Sequence, residues 1–171
     1  AEPDPTKVVS QAIVPWVMDR KNALLLQMTD PDAGETTIAT LQYALKRGIE
    51  SVYQLEESEL LAEPLPDRKT RRGVLFYEAT EGGAGVLTRL VHDEHAVARV
   101  AHAALKVLHF AVPDAGQPLP PLEGLHDVEG TECVAGCYRC MLSYYNQPDH
   151  PVIDRRDAGA RSLLLRLAAV Q

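Results

Sequence analysis

The sequence predicts an α/β fold in which a short mixed β-sheet is flanked by helices and is followed by a C-terminal helical segment. Two observations lead to this fold class. A strand-like run over residues 73–80 passes through a glycine-rich turn into an apolar helix start at Val86. A Pro- and Gly-rich stretch over residues 113–130 then separates this α/β body from a cluster of cysteines. The cysteine cluster and a closing helix therefore form a C-terminal appendage.

The individual elements follow from hydrophobic periodicity and from helix start and stop signals. Gly48 follows two basic residues and is expected to end the first helix. Asp93 and Asp154 are the expected N-caps of the two later helices. In chain order we predict strands over 7–17 and 23–26, a helix over about 35–47, a strand in the first half of 49–61, a strand over 73–80, helices from 86 and over 94–111, a short helix from 138 and a closing helix over 158–170.

The composition indicates one hydrophobic core. Of the 171 residues 46% are hydrophobic but only 5% are aromatic, so Leu, Val and Ala must fill the interior. We expect a single domain over 1–171, divided into the α/β body (1–112), the connector (113–130) and the cysteine segment (131–171). The formal net charge of −7 opposes binding of a phosphate backbone, so any contact with nucleic acid must use a local basic patch.

All three cysteines, Cys133, Cys137 and Cys140, lie in one C-x3-C-x2-C string. Thiolates at this spacing can converge on one tetrahedral ion, and zinc favours four sulfur or nitrogen ligands. The alternative is three free thiols buried as small hydrophobic groups. An odd count in one cluster fits a metal site in a reducing compartment better than a disulfide framework, so we expect a cytoplasmic protein that holds Zn²⁺.

Three thiolates leave the fourth zinc ligand to be supplied by another group. His150 is favoured because the turn over 146–149 could return the chain to the cysteines. His126, on the other side of the cluster, is the second candidate, and Asp149, Glu132 or a residue of a longer parent chain are further ones. A shell of three thiolates donates much charge to the metal, which acidifies a bound water poorly. The zinc is therefore expected to be structural.

The clearest basic patch is formed by Arg68, Lys69, Arg71 and Arg72, which lie at the tip of a loop opened by two prolines. Clustered cations on a loop can contact phosphates, and the alternative is an ordinary solvated loop. If the chain binds nucleic acid, we expect these four residues to contact its phosphates. No apolar stretch is long enough to span a membrane, and we expect no membrane partner.

Gly82, Gly83 and Gly85 lie between the strand over 73–80 and the following helix. Backbone N–H groups at such a turn can hold a phosphate or a carboxylate, and the alternative is a tight turn that needs positive φ. The P-loop pattern is absent. A hydrolase that uses Glu78 and Glu81 around this turn is a further hypothesis, but no nucleophile and base lie at an informative spacing to support it.

Three segments, over 41–50, 75–87 and 136–147, together with the following His150 and the pair Asp154 and Arg155, carry a resemblance to a known family. They resemble the C-terminal MrfA-type zinc-binding (MZB) domain of DEAD/DEAH-box superfamily 2 helicases, formerly a domain of unknown function. The order of the glycine segment and the C-x2-C-x-L-S-Y-x-N-Q string is the specific part of this resemblance.

The resemblance implies a non-catalytic accessory domain that follows two motor lobes in an ATP-dependent DNA helicase. Its expected partners are DNA, the motor domains and a complex of DNA repair or phage defence. An alternative is an interaction scaffold in a phage-defence complex without direct DNA contact. Members of the family are described with four metal-binding cysteines, so the resemblance carries over only to Cys133, Cys137 and Cys140.

Overall fold

A computed structural model describes residues 12–114 and 116–170 of the chain. The predicted α/β fold class is confirmed: a small sheet is flanked by helices. The elements are β1 (Ala23–Gln27), α1 (Glu35–Tyr53), β2 (Leu60–Leu65), β3 (Gly73–Glu78), α2 (Val86–His92), α3 (Ala96–Val107) and α4 (Ala158–Ala168), with 3₁₀ segments at Leu122–Gly124 and Tyr144–Val152.

The sheet has three strands in the order β1-β3-β2, and both neighbouring pairs are antiparallel. The expectation of a mixed sheet is therefore wrong in this detail. A short loop joins β2 directly to β3, whereas a parallel pair would require a long crossover connection. Phe76 at the centre of β3 lies opposite Leu24 of β1 and Ala62 of β2, and it is buried.

Helix α1 is the central element of the domain, because it contacts the sheet on one side and α3 and α4 on the other. Nearly every residue from Ile38 to Glu50 is buried as a result. This helix runs to Tyr53, so the expected stop at Gly48 and the expected strand over the first half of 49–61 are both wrong. Gly48 serves packing instead: a Cβ there would lie 2.4 Å from the carbonyl oxygen of Val100 on α3.

Other boundaries differ from the sequence predictions by a few residues. Residues 12–17 are exposed and form no strand, and the rest of that predicted strand lies outside the described residues. The N-cap of α3 is His95 and not the expected Asp93, although Asp93 accepts a hydrogen bond from the backbone N–H of His95. The cap of α4 is Asp157, which accepts from the N–H of Ala160, and not Asp154. None of the described helices is long and apolar enough to cross a membrane.

The close approach of α1 and α3 makes Gly48 a test of this packing. Replacing Gly by Ala in a helix interior normally stabilises the helix by about 1 kcal/mol. We expect Gly48→Ala to destabilise the domain by about 1–3 kcal/mol instead, because the added methyl group forces the two helices apart. Urea unfolding measures the change. Ser51→Ala, at an exposed position of the same helix, is the control and should change stability by less than about 0.5 kcal/mol. Equal stability of Gly48→Ala and wild type would contradict the packing described.

Candidate metal centre

The three cysteines and His109 form one cluster. Their ligand atoms, three Sγ atoms and one imidazole nitrogen, all lie within 4.8 Å of one another. The Sγ atoms of Cys133 and Cys140 are 3.8 Å apart, and Nε2 of His109 is 3.3 Å from Sγ of Cys137. Zinc bound tetrahedrally with Zn–S bonds of about 2.3 Å would place two sulfurs about 3.8 Å apart. The donor set and its spacing therefore fit zinc.

A tight turn brings two of the thiols together. The backbone N–H of Cys140 donates to the carbonyl oxygen of Cys137 at 3.0 Å, and the N–H of Leu142 donates to the same oxygen at 3.1 Å. The N–H of Cys137 also points at Sγ of Cys140, at 3.0 Å. Backbone N–H groups directed at sulfur stabilise a thiolate, so the turn prepares these side chains for metal binding.

His109 reaches the cysteines from the end of α3. Its φ is 65°, in the left-handed region that non-glycine residues seldom adopt. The N–H groups of His109 and Phe110 donate back to the carbonyls of Lys106 and Leu105, which closes the helix end, and Val128 donates to the carbonyl of His109. Such conformations persist where the surroundings fix them, often at functional sites. Here the turn directs the imidazole towards the thiols.

The structure replaces His150 by His109 as the fourth candidate ligand. Nε2 of His150 lies 3.1 Å from the carbonyl oxygen of Ser143 and 2.9 Å from Oδ1 of Asn146. His150 is thus hydrogen-bonded to its own segment of chain, and its ring nitrogens do not belong to the cluster. His126 and Glu132 are exposed and lie outside the cluster, and Asp149 is buried against Arg71.

The sequence contains one signal that could have indicated His109. His95, His102 and His109 recur every seven residues, a spacing that places them in one column along a helix. Only His109 lies beyond the end of α3, where the chain leaves helical geometry. A histidine that follows the last turn of a helix is not held in helical geometry, so its side chain can turn towards a distant loop.

Arg155 fastens the parts of this centre to one another. Its side chain is fully buried. Nε donates to the carbonyl oxygen of Cys133 at 2.9 Å, and Nη1 donates to that of Leu108, next to His109, at 3.1 Å. The two terminal nitrogens also bind both carboxylate oxygens of Asp127, at 2.7 and 2.5 Å. One guanidinium thus holds the His109 turn against the first cysteine.

The thiols differ in their affinity for protons. Burial, together with the neighbouring Cys140 and Cys137, raises the pKa of Cys133 to about 12. For Cys137 burial also acts upward, but hydrogen bonds from His109 and from the N–H of Arg139 outweigh it and lower the pKa to about 6. Burial raises the pKa of Cys140 as well. Two thiols must therefore lose protons when a metal binds, which makes affinity fall in acid.

Comparison with known proteins identifies the family of this chain. The family model that describes the MrfA Zn-binding domain matches residues 41–141, more than half of the chain. The chain belongs to the MrfA Zn-binding domain family. This is a zinc-binding family associated with MrfA-type helicases. Searches of curated proteins and of solved structures returned no match.

Zinc is the cofactor that the family and the donor set together indicate. In this MrfA Zn-binding domain Cys133, Cys137, Cys140 and His109 would hold the ion. The ion would supply a cross-link between the end of α3 and the C-terminal segment. His109 thereby provides the donor that a string of three cysteines lacks.

The glycine turn holds a carboxylate of the chain itself. Glu78 at the end of β3 is buried, and its two oxygens accept hydrogen bonds from the N–H groups of Leu87, at 2.9 Å, and Gly85, at 3.0 Å. Burial raises the pKa of Glu78, but these backbone donors and Asn22 lower it by more. The expected external anion at this turn is therefore replaced by Glu78.

The glycines serve the turn by their conformation. Gly82, Gly83 and Gly85 all have positive φ, and a Cβ on Gly83 would lie 1.7 Å from Oε2 of Glu78. The alternative reading of the sequence, a tight turn that needs positive φ, describes what the structure shows. The hydrogen bonds of Glu78 also occupy the carboxylate that the hydrolase hypothesis would use.

The structure divides the four predicted DNA-contacting residues. Arg68, Lys69 and Arg72 are exposed on the loop over 67–72, hereafter the basic loop. Arg71 is buried: Nη2 donates to Oδ1 of Asp149 at 2.6 Å, and Nη1 donates to Gln42 at 2.9 Å. Arg71 therefore anchors the loop, and its buried side chain is not available to contact DNA as predicted.

Replacing each candidate histidine tests the ligand set. We expect His109→Ala to lower zinc affinity by at least about 100-fold, because even groups that only hydrogen-bond a ligand contribute about 10- to 100-fold. His150→Ala and His126→Ala should retain wild-type affinity and one zinc per chain. Elemental analysis and competition with a chelator measure both quantities. Zinc loss in His150→Ala with retention in His109→Ala would contradict the assignment.

Replacing the guanidinium of Arg155 by the ammonium group of lysine tests its role, because the charge is kept and the several N–H donors of the guanidinium are lost. Arg155→Lys cannot reach Cys133, Leu108 and Asp127 together, so we expect zinc affinity to fall by about 10- to 100-fold. Arg156→Lys is the matched control, since Arg156 is 53% exposed and lies 3.9 Å from Asp127. Circular dichroism establishes that both variants are folded. Unchanged affinity in folded Arg155→Lys would show that the centre assembles without this residue.

Proposed function

We propose that this MrfA Zn-binding domain is a non-catalytic accessory domain of an ATP-dependent DNA helicase, and that it contacts nucleic acid through the basic loop. The observation that carries the proposal is the anchoring of this loop. Arg71 is 1% exposed and is ion-paired with Asp149, while Arg68, Lys69 and Arg72 remain exposed. One arginine thus fixes the position from which three cations reach solvent.

Hydrogen bonds from backbone N–H groups also order the basic loop. Oδ1 of Asp67 accepts hydrogen bonds from the N–H groups of Lys69, at 2.7 Å, and Thr70, at 2.9 Å. The N–H of Arg72 donates to the carbonyl oxygen of Leu65 at 2.7 Å. A loop that is already ordered loses less conformational entropy on binding, so its cations contribute more to affinity.

The negative charge of the whole chain confines a nucleic-acid contact to this surface. A net charge of −7 repels phosphates elsewhere, and binding should depend strongly on salt because it rests on a few cations. Contacts of this kind position a strand without reading its sequence. Such a contact suits a helicase domain that guides DNA past the motor lobes.

A second candidate function is an interaction scaffold that does not contact DNA, as in a phage-defence complex. The observation in its favour is the segment that precedes β1, which carries five large apolar side chains, each at least 82% exposed. Contiguous exposed apolar groups mark protein contact sites. These residues are Ile13, Val14, Trp16, Val17 and Met18.

Binding to single-stranded DNA distinguishes the two functions. We expect the zinc-loaded chain to bind a labelled oligonucleotide at low salt, with affinity that falls as salt rises. Replacing Arg68, Lys69 and Arg72 together by Ala should lower affinity at least about 10-fold and reduce the slope of log K against log salt by about 2. Fluorescence anisotropy at several salt concentrations measures both.

The matched control for this experiment removes the same charge from other elements. Arg20, Lys106 and Arg166 are exposed and lie outside the basic loop, before β1, on α3 and on α4. Their triple replacement by Ala should change affinity less than the loop variant. Equal losses in both triple variants, or no binding by wild type at low salt, would overturn the proposed DNA contact and favour the scaffold.

A further inference from the structure

A cleft with a volume of about 200 Å³ lies beside the basic loop. Arg68 of that loop and Tyr145 both line it. Its apolar lining comes from Leu61 and Ala62 on β2 and from Met141, which is buried. The cleft therefore combines an apolar interior with an arginine and an aromatic ring at its opening.

Charged groups within the cleft are largely satisfied by other parts of the protein. Lys46 is ion-paired with Glu50 and donates to the carbonyl oxygen of Glu57 at 3.0 Å. Arg47 binds Glu50 at 2.7 Å and the carbonyl oxygen of Cys140 at 2.9 Å. Glu57 and Glu63 also line the cleft, so its interior favours a flat, uncharged group over a free anion.

The opening has a different character from the interior. Arg68 keeps 47% of its side chain exposed, and Tyr145 is 72% exposed. Ser58 and Ser143 also line the cleft and carry hydroxyls that can hydrogen-bond a polar edge. An uncharged aromatic ring with polar edges, attached to a phosphate, matches this combination of groups.

We infer that the cleft receives one unstacked base of a single-stranded nucleic acid, with the base against Tyr145 and the adjoining phosphate at Arg68. The inference rests on the proposed function and adds the kind of strand and the place of one base. Single-strand binding sites combine a cationic track with aromatic side chains on which bases stack. A base inside a duplex is not free to enter the cleft, so single strands should be preferred.

An abasic strand separates the base contact from the phosphate contact. We compare binding of the zinc-loaded chain to a short oligothymidine, to an oligonucleotide of the same length with abasic sites throughout, and to a duplex. The inference predicts that the abasic strand and the duplex bind at least about 5-fold more weakly than oligothymidine, the effect of losing one stacked base. The abasic strand carries the same phosphates as oligothymidine, and the duplex carries them at a higher density, so charge alone cannot produce this preference.

Variants of two adjacent tyrosines locate the base. Tyr145→Ala should weaken binding of oligothymidine by about 5- to 100-fold and leave binding of the abasic strand unchanged. Tyr145→Phe keeps the ring and should restore most of the loss. Tyr144→Ala is the matched control, because Tyr144 is 76% exposed but does not line the cleft. It should bind both strands nearly as wild type does.

The outcomes distinguish the inference from the proposed function. Equal affinity for intact and abasic strands, with the salt dependence retained, would overturn the base site and keep the contact through the basic loop. Such a result would leave the cleft to a partner protein's apolar side chain. Equal losses in Tyr144→Ala and Tyr145→Ala would also overturn the placement of the base. Absence of binding by every probe at low salt would overturn the proposed function itself, and the inference with it.

Discussion

The buried guanidinium of Arg155 is the interaction on which the metal centre depends. A guanidinium removed from water must have its donors satisfied, and an unpaired one is strongly destabilising. Arg155 meets this requirement with the carboxylate of Asp127 and the carbonyls of Leu108 and Cys133. Its partners come from three separate stretches of chain. Satisfying one side chain therefore brings together the stretches that carry the histidine and the first cysteine.

A second buried arginine does for the basic loop what Arg155 does for the metal centre. Arg71 joins the loop to Asp149 on the Tyr144–Val152 segment and to Gln42 on α1. Tyr43 also donates to Asp149, and burial together with this carboxylate raises the pKa of its hydroxyl. The candidate metal centre and the basic loop are thus each held in place by an arginine that is ion-paired inside the protein.

The sequence indicated the fold class, the strands β1 and β3, and the three cysteines, because each depends on residues close together in the chain. The prediction that Gly48 ends the first helix was wrong because the role of this glycine is set by a carbonyl on α3, which no local pattern reveals. The roles of His109 as a candidate metal ligand and of Arg71 as a buried anchor were not predicted for the same reason. The partner of each lies far away in sequence. Glu78 shows the converse case, in which a strand–turn–helix motif was recognised but its anion was already part of the chain.

Helix α1 has a mechanical consequence for the domain. Gln42 is bonded to Arg71 of the basic loop, and Arg47, little more than one turn further, is bonded to the carbonyl of Cys140. Gly48 then locks the same helix against α3, at whose end His109 lies. A displacement of the basic loop would therefore be transmitted along α1 to both parts of the candidate metal centre. The basic loop and the candidate metal centre would move together as one body, with α1 as their shared support.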